Sequence, residues 1–153
     1  MLLWMESVAR SGMRKDVNVS REYTPENITS LPTGCIFVFG SNVDGVHGKG
    51  AALTAKKYFG AIQGNPRGIQ GRSYAIITKK NWRVEKSSTL REIGKEVQDF
   101  VLYANKNLDK KFYVVKIGSS LAGYRTDEIR GLFLLLKPWI SENIILPMEY
   151  EVR

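Results

Sequence analysis

The sequence predicts a three-layer α/β/α sandwich around a mainly parallel, mixed sheet. Three observations point there. Short apolar runs recur along the chain: "CIFVFG" at 35–40, "SYAIIT" at 73–78, "FYVVKI" at 112–117 and "NIILP" at 143–147. Amphipathic helical patterns separate them, so the order reads β, α, β, α, β, α, β. Two of the runs pass directly into glycine-rich loops, Gly40-Ser41-Asn42 and Gly118-Ser119-Ser120. In open α/β sheets, ligands bind beyond the carboxyl ends of strands, so these two loops are expected on one rim.

Residues 1–20 read as an N-terminal extension to a domain over 21–153. The apolar start "MLLWM" is too short to cross a membrane, and no basic segment precedes a longer apolar region, so no signal peptide is expected. "REYTPENITSLPTG" is loop-rich. "CIFVFG" is continuously apolar, as a strand covered on both faces requires. Over 50–59, Ala51, Ala52, Ala55 and Phe59 share a helical face. Residues 60–72 carry four glycines and Pro66 and read as a loop. A helix opens at Thr89, where Thr89 and Glu92 have capping-box spacing, and Leu90, Ile93, Val97, Val101 and Ala104 form its apolar stripe. Another opens at Thr126. Asp127 and Glu128 fall in its first turn, where the helix dipole favours anions, and Ile129, Leu132, Phe133, Leu136 and Ile140 face the core.

Composition sets the class. At 153 residues, 43% hydrophobic and 25% charged, the chain fits one globular domain. A domain of this size removes roughly 70% of its unfolded surface from water. The single cysteine, Cys35, excludes an internal disulfide and fits a reducing, cytoplasmic setting. Beside Ile36-Phe37-Val38-Phe39 it reads as a small core residue. A net charge of +8 favours anionic ligands or a polyanion such as nucleic acid. The cations are dispersed, however; Lys79-Lys80 and Lys110-Lys111 are only pairs, and no basic stripe forms.

The loops carry the chemistry. In "NVDGVHGKGAA", Gly45, Gly48 and Gly50 precede a helix start at Ala51. Glycines let a backbone approach an anion closely, and a helix start offers unpaired N–H groups. The spacing matches neither the Rossmann nor the Walker pattern. "GSSLAGY" at 118–124 repeats the arrangement, and its Tyr124 either packs on a sugar or base or joins the core. His47 is the one histidine, and no Cys/His cluster or carboxylate pair has ligand spacing, so no metal is expected. No G-x-S-x-G occurs, which argues against a Ser-His-Asp triad. His47 remains a loop residue that contacts ligand or caps backbone. Lys79 follows the strand 73–78. It is either a solvated surface lysine or a desolvated nucleophile towards a sugar carbon.

These residues resemble the macro domain family, which binds ADP-ribose. "ENITSL" at 26–31 is similar to the family's opening turn, "VFGSN" at 38–42 to its strand end, and "GVHGKGAALTA" to its diphosphate loop and helix. "SYAIIT", "KIGSSLAGY" and "NIILP" are similar to its next strand, second phosphate loop and last strand. "HGKGAALTAKKYFGA" and "YAIITKK" are most similar to lysine-dependent terminal ADP-ribose glycohydrolases, and "IFVFGSN" with the following glycine loop to uncharacterised phage and bacterial macro-like proteins. The resemblance implies an ADP-ribose site made by Asn27, Ile28, Ser41, Asn42, Gly45, His47, Gly48, Lys49, Gly50 and Ala51, with Gly118, Ser119, Ser120, Leu121, Ala122, Gly123 and Tyr124. It implies no cofactor, and it assigns catalysis to Lys79 with Asn42 on the distal ribose. Two positions depart from it: Asn27 stands for the adenine-contacting aspartate, and Ala122 for the aspartate that partners the lysine. Asp44 or Asp127 would then have to supply a carboxylate from elsewhere on the rim. The expected activity is release of ADP-ribose from a modified protein or nucleic acid. The alternatives are a non-catalytic binder of an NAD-derived or cyclic nucleotide signal, and a basic nucleic-acid-associated protein.

Overall fold

The computed structural model describes residues 21–118 and 122–153. The elements run β1 (Cys35–Asn42), α1 (Gly50–Tyr58), β2 (Gly68–Gln70), β3 (Ser73–Lys79), α2 (Leu90–Asn105), β4 (Lys111–Val114), α3 (Thr126–Leu135) and β5 (Ile144–Ile145). The sheet order is β2-β3-β1-β4-β5. Only β2 is antiparallel to its neighbour; the pairs β3-β1, β1-β4 and β4-β5 are parallel. The expectation for residues 1–20 lies outside the described residues.

Strand alternation builds the layers. Side chains of successive strand residues point to opposite faces. Ile36, Val38, Tyr74, Ile76, Phe112, Val114 and Ile144 therefore enter one core with Ile93, Val97, Phe100 and Val101 of α2 and Ile129 and Phe133 of α3. Cys35, Phe37, Phe39, Ala75, Tyr113 and Ile145 enter the other, against Ala52 and Ala55 of α1 and Phe59 just beyond it. Phe37 and Phe59 stack with ring centroids 4.6 Å apart. Among the described residues, one helix on one face and two on the other give the expected three-layer sandwich.

Several boundaries differ from expectation, three of them by more than a residue or two at a strand end. The glycine-rich stretch 60–72 contains β2, an edge strand of three residues. The last helix ends at Leu135 and continues only as a 3-10 turn, Lys137–Trp139, because Pro138 has no N–H to donate and its ring clashes with the preceding turn. Ile140 still reaches the core, at 7% exposure. β4 stops at Val114; beyond it the Ile117 N–H turns back to Val115 O at 2.7 Å, and the chain leaves the sheet.

Candidate functional site

The carboxyl ends of β1, β3 and β4 open onto a cleft of about 1370 Å³. Topology dictates this, since β1 lies between the other two and is parallel to both. Gly40 lets the strands close up beneath the cleft: a Cβ there would lie 3.1 Å from Thr78 Oγ1 and 3.6 Å from Ile117 Cβ. Thr78 Oγ1 donates to Ser41 O at 3.2 Å, and the Ser41 hydroxyl donates to Pro66 O. The register slips between Ser41 and Asn42, so Asn42 comes to pair with Lys79. Lys79, the last residue of β3, is only 9% exposed, lines the cleft, and donates from Nζ to Trp82 O at 3.0 Å.

Asn42 shapes the loop that follows it. Its Nδ2 donates to Val46 O at 2.9 Å and its Oδ1 accepts from the Val46 N–H at 3.0 Å. The same loop is braced from behind by residues 63–65. Gly64 N–H donates to Gly45 O at 2.8 Å, and His47 N–H donates to Gln63 Oε1 at 3.0 Å. His47 is fully buried, edge-on to Phe39, with Nε2 3.1 Å from Asn65 O. A carbonyl can only accept, so Nε2 carries a proton; among the described residues Nδ1 has no hydrogen-bond partner. Gly48, Lys49, Gly50 and Ala51 then line the cleft where α1 begins. Lys49, the N-cap residue, makes no side-chain cap, so the first N–H groups of α1 are not satisfied by it.

Ile117, Gly118 and Ala122 line the cleft on the β4 side. At one end it meets Asn27 and Ile28, together with Pro147, Met148 and Glu149. Four cations, Lys49, Lys79, Arg83 and Lys116, face three carboxylates, Glu26, Glu85 and Glu149. Lys116 lies 3.2 Å from Glu149 and 3.6 Å from Glu26. The hydrogen bond that Lys116 donates to Glu149 raises the Lys116 ammonium above its ordinary range. Glu149 is held below the usual carboxylate range by a bond to its own backbone N–H and by Lys116.

No family profile matches the chain, and no curated protein matches it either. Solved structures do. The macrodomain of Mycobacterium tuberculosis DarG superposes with a TM-score of 0.63 at 17% identity, over 85% of this chain and 98% of that one. The fold is that of a macrodomain. A second match, alphavirus P23pro-zbd, has a TM-score of 0.58 at 14% identity and covers 90% of this chain; the chain spans 22% of that longer protein.

Within this fold the cleft gathers Asn27, Ile28, Ser41, Asn42, Gly48, Lys49, Gly50, Ala51, Lys79, Gly118 and Ala122. Gly45, His47, Gly123 and Tyr124 are not part of its lining. His47 is turned into the core, where its ring meets the backbone carbonyl of Asn65. The Tyr124 hydroxyl donates to Ser88 O at 2.5 Å and the ring packs against the larger core, which places Tyr124 away from the cleft. Asn42 lines the cleft, but both polar atoms of its amide are engaged within the loop. Ser119, Ser120 and Leu121 lie outside the described residues. Neither Asp44 nor Asp127 reaches the lining, and Asp127 pairs with Arg125 at 3.0 Å. The lining also contains Trp82, Arg83 and Glu85, which the sequence reading passed over. Their signal was a tryptophan inside the polar stretch "KNWRVEKSS" immediately after Lys79.

Proposed function

We propose that the cleft binds ADP-ribose and that Lys79 releases it from a modified protein or nucleic acid. The observation that carries this reading is convergence: residues following β1 and β4 and the lysine ending β3 line one cleft. In this reading the backbone around Gly48–Ala51 holds one phosphate, the loop beginning at Gly118 holds the other, and Asn27 receives the adenine. An amide at Asn27 accepts a hydrogen bond without charge, so that contact is weaker than a carboxylate's. Lys79 attacks the anomeric carbon of the distal ribose and the linked group departs. The reading also draws support from the fold, which is shared with the DarG macrodomain.

The test combines binding with turnover. Calorimetry with ADP-ribose should give saturable heat, and ADP-ribosylated protein or DNA should lose its label on incubation. Lys79→Ala should keep the heat and lose the release. Absence of any heat with ADP-ribose overturns the reading at its root.

A second reading, a binder without turnover, draws on Ala122. Its 2% exposed methyl group brings no carboxylate to the β4 side of the cleft. Saturable binding with label fully retained on both substrates selects that reading.

A further inference from the structure

A lysine that attacks a sugar carbon needs a partner that moves protons. Its ammonium must lose a proton before it can attack, and the departing atom must gain one. Ala122 cannot do this. A different segment, the loop after β3, brings a carboxylate to the lining of the same cleft.

We propose that Glu85 is the proton-transfer group that works with Lys79, an inference that rests on the hydrolase reading above. Glu85 lines the cleft, as Lys79 does, but it belongs to the loop between β3 and α2. The Lys86 N–H donates to Ala122 O at 2.7 Å, which ties that loop to the β4 side of the cleft. Gly123 leaves the space Glu85 occupies: a Cβ on Gly123 would fall 2.9 Å from Glu85 Cβ and 3.1 Å from both Cδ and Oε1. The loop is internally braced. Val84 N–H donates to Asn81 O at 3.0 Å, and Ser87 Oγ accepts from the Asn81 N–H at 3.0 Å. Lys79 Nζ reaches the same loop at Trp82 O. The other carboxylates of the lining, Glu26 and Glu149, are both engaged by Lys116. Among the described residues Glu85 takes part in no ion pair.

The proton balance closes with water as the one co-reactant. The Glu85 carboxylate takes a proton from the Lys79 ammonium through one intervening water. The free amine forms a bond to the ribose C1 carbon as the bond from C1 to the target breaks, and the electron pair leaves with the target atom. Glu85 hands its proton to that atom. Water then adds to C1 as the C1–Nζ bond breaks; Glu85 takes a proton from the water and returns it to Nζ.

Glu85→Gln keeps the size and the loop while removing the base. It should bind ADP-ribose as the parent does, and release from ADP-ribosylated protein or DNA should slow by about 100-fold or more. The acidic arm of the parent's pH–rate profile should disappear with it, and Glu85→Asp should recover part of the rate. Gly123→Ala, which drives a methyl group into Glu85, should also slow release. Parental rates in Glu85→Gln overturn the assignment of Glu85 alone. So does loss of ADP-ribose binding in that variant, because Glu85 would then be holding ligand. If the parent releases no label from either substrate, the hydrolase reading fails and Glu85 fails with it.

Discussion

A side chain at Gly48 would meet almost nothing of the protein: its Cβ finds only Val46 Cγ1, at 3.9 Å. Three residues earlier the situation reverses. Gly45 has φ 67, and a Cβ there would lie 2.5 Å from Gly64 C and 2.6 Å from Asn65 N. The fold therefore requires the glycine at 45, whereas at 48 the space a side chain would take is the space the proposed phosphate would fill. Gly48→Val should melt within about 0.5 kcal/mol of the parent, yet abolish ADP-ribose binding by calorimetry. Gly45→Val should lose about 2–3 kcal/mol in a denaturant titration, from strained backbone and a clash with backbone that cannot yield. Retained binding in Gly48→Val would remove that loop from the phosphate site. From the sequence these glycines look alike, because the segment that packs on Gly45 lies about 20 positions away. His47 was opaque for the same reason. A polar residue in a glycine loop reads as exposed, and only the fold brings Asn65 and Phe39 around it.

Elements with strong local signals were legible. Thr89 accepts from the Glu92 N–H at 3.1 Å while Glu92 Oε1 accepts from the Thr89 N–H at 2.8 Å, the capping box that the spacing indicates. Thr89→Ala should cost about 1 kcal/mol and leave ADP-ribose affinity unchanged, since Thr89 is not in the cleft lining; a thermal melt with a parallel calorimetric titration checks both. The buried strands were legible too, because short continuous apolar runs such as those at 35–39 and 74–77 have few other uses in a small α/β chain. β2 was not. It has three residues, begins at a glycine with φ 83, and exposes Ile69. Its pairing depends on β3 already being in place. The loop holding Trp82, Arg83 and Glu85 was missed on similar grounds: its composition is that of a solvated surface, and its tie to Ala122 spans more than thirty positions.

At the scale of the whole molecule, the segment 151–153 fastens the edge of the sheet. Arg153 donates to Glu151 at 2.9 and 3.0 Å, to Ser141 O at 3.0 Å and to Ile144 O at 2.8 Å. Both side chains of the pair are 9% exposed. Burial pushes the Glu151 carboxyl up, but its hydrogen bonds with Arg153 outweigh this and hold it below its ordinary 4.5. The unfolded chain thus binds more protons in the interval between the lowered value and 4.5. The stabilisation is present above 4.5 and disappears as pH falls through the folded value. Arg153→Ala strands a buried carboxylate and should cost about 3 kcal/mol near neutral pH. The deficit against the parent should narrow as the buffer is taken down to about pH 3, because protonated Glu151 no longer misses its partner. Urea titrations of both proteins across that range measure it; a deficit that stays constant would show that the arginine acts through Ser141 and Ile144 alone.

Gln63, Gly64 and Asn65 brace the loop after β1 without lining the cleft themselves. That loop is ordered when the chain folds, before any ligand arrives, so the entropic cost of holding it is not charged to association. Affinity therefore has a silent contributor. Gln63→Ala, which strips the His47 N–H of its acceptor, should weaken ADP-ribose binding several-fold through faster dissociation, measurable by stopped flow, although the residue never meets the nucleotide. Mutagenesis confined to the cleft would overlook the residues that keep its wall in shape.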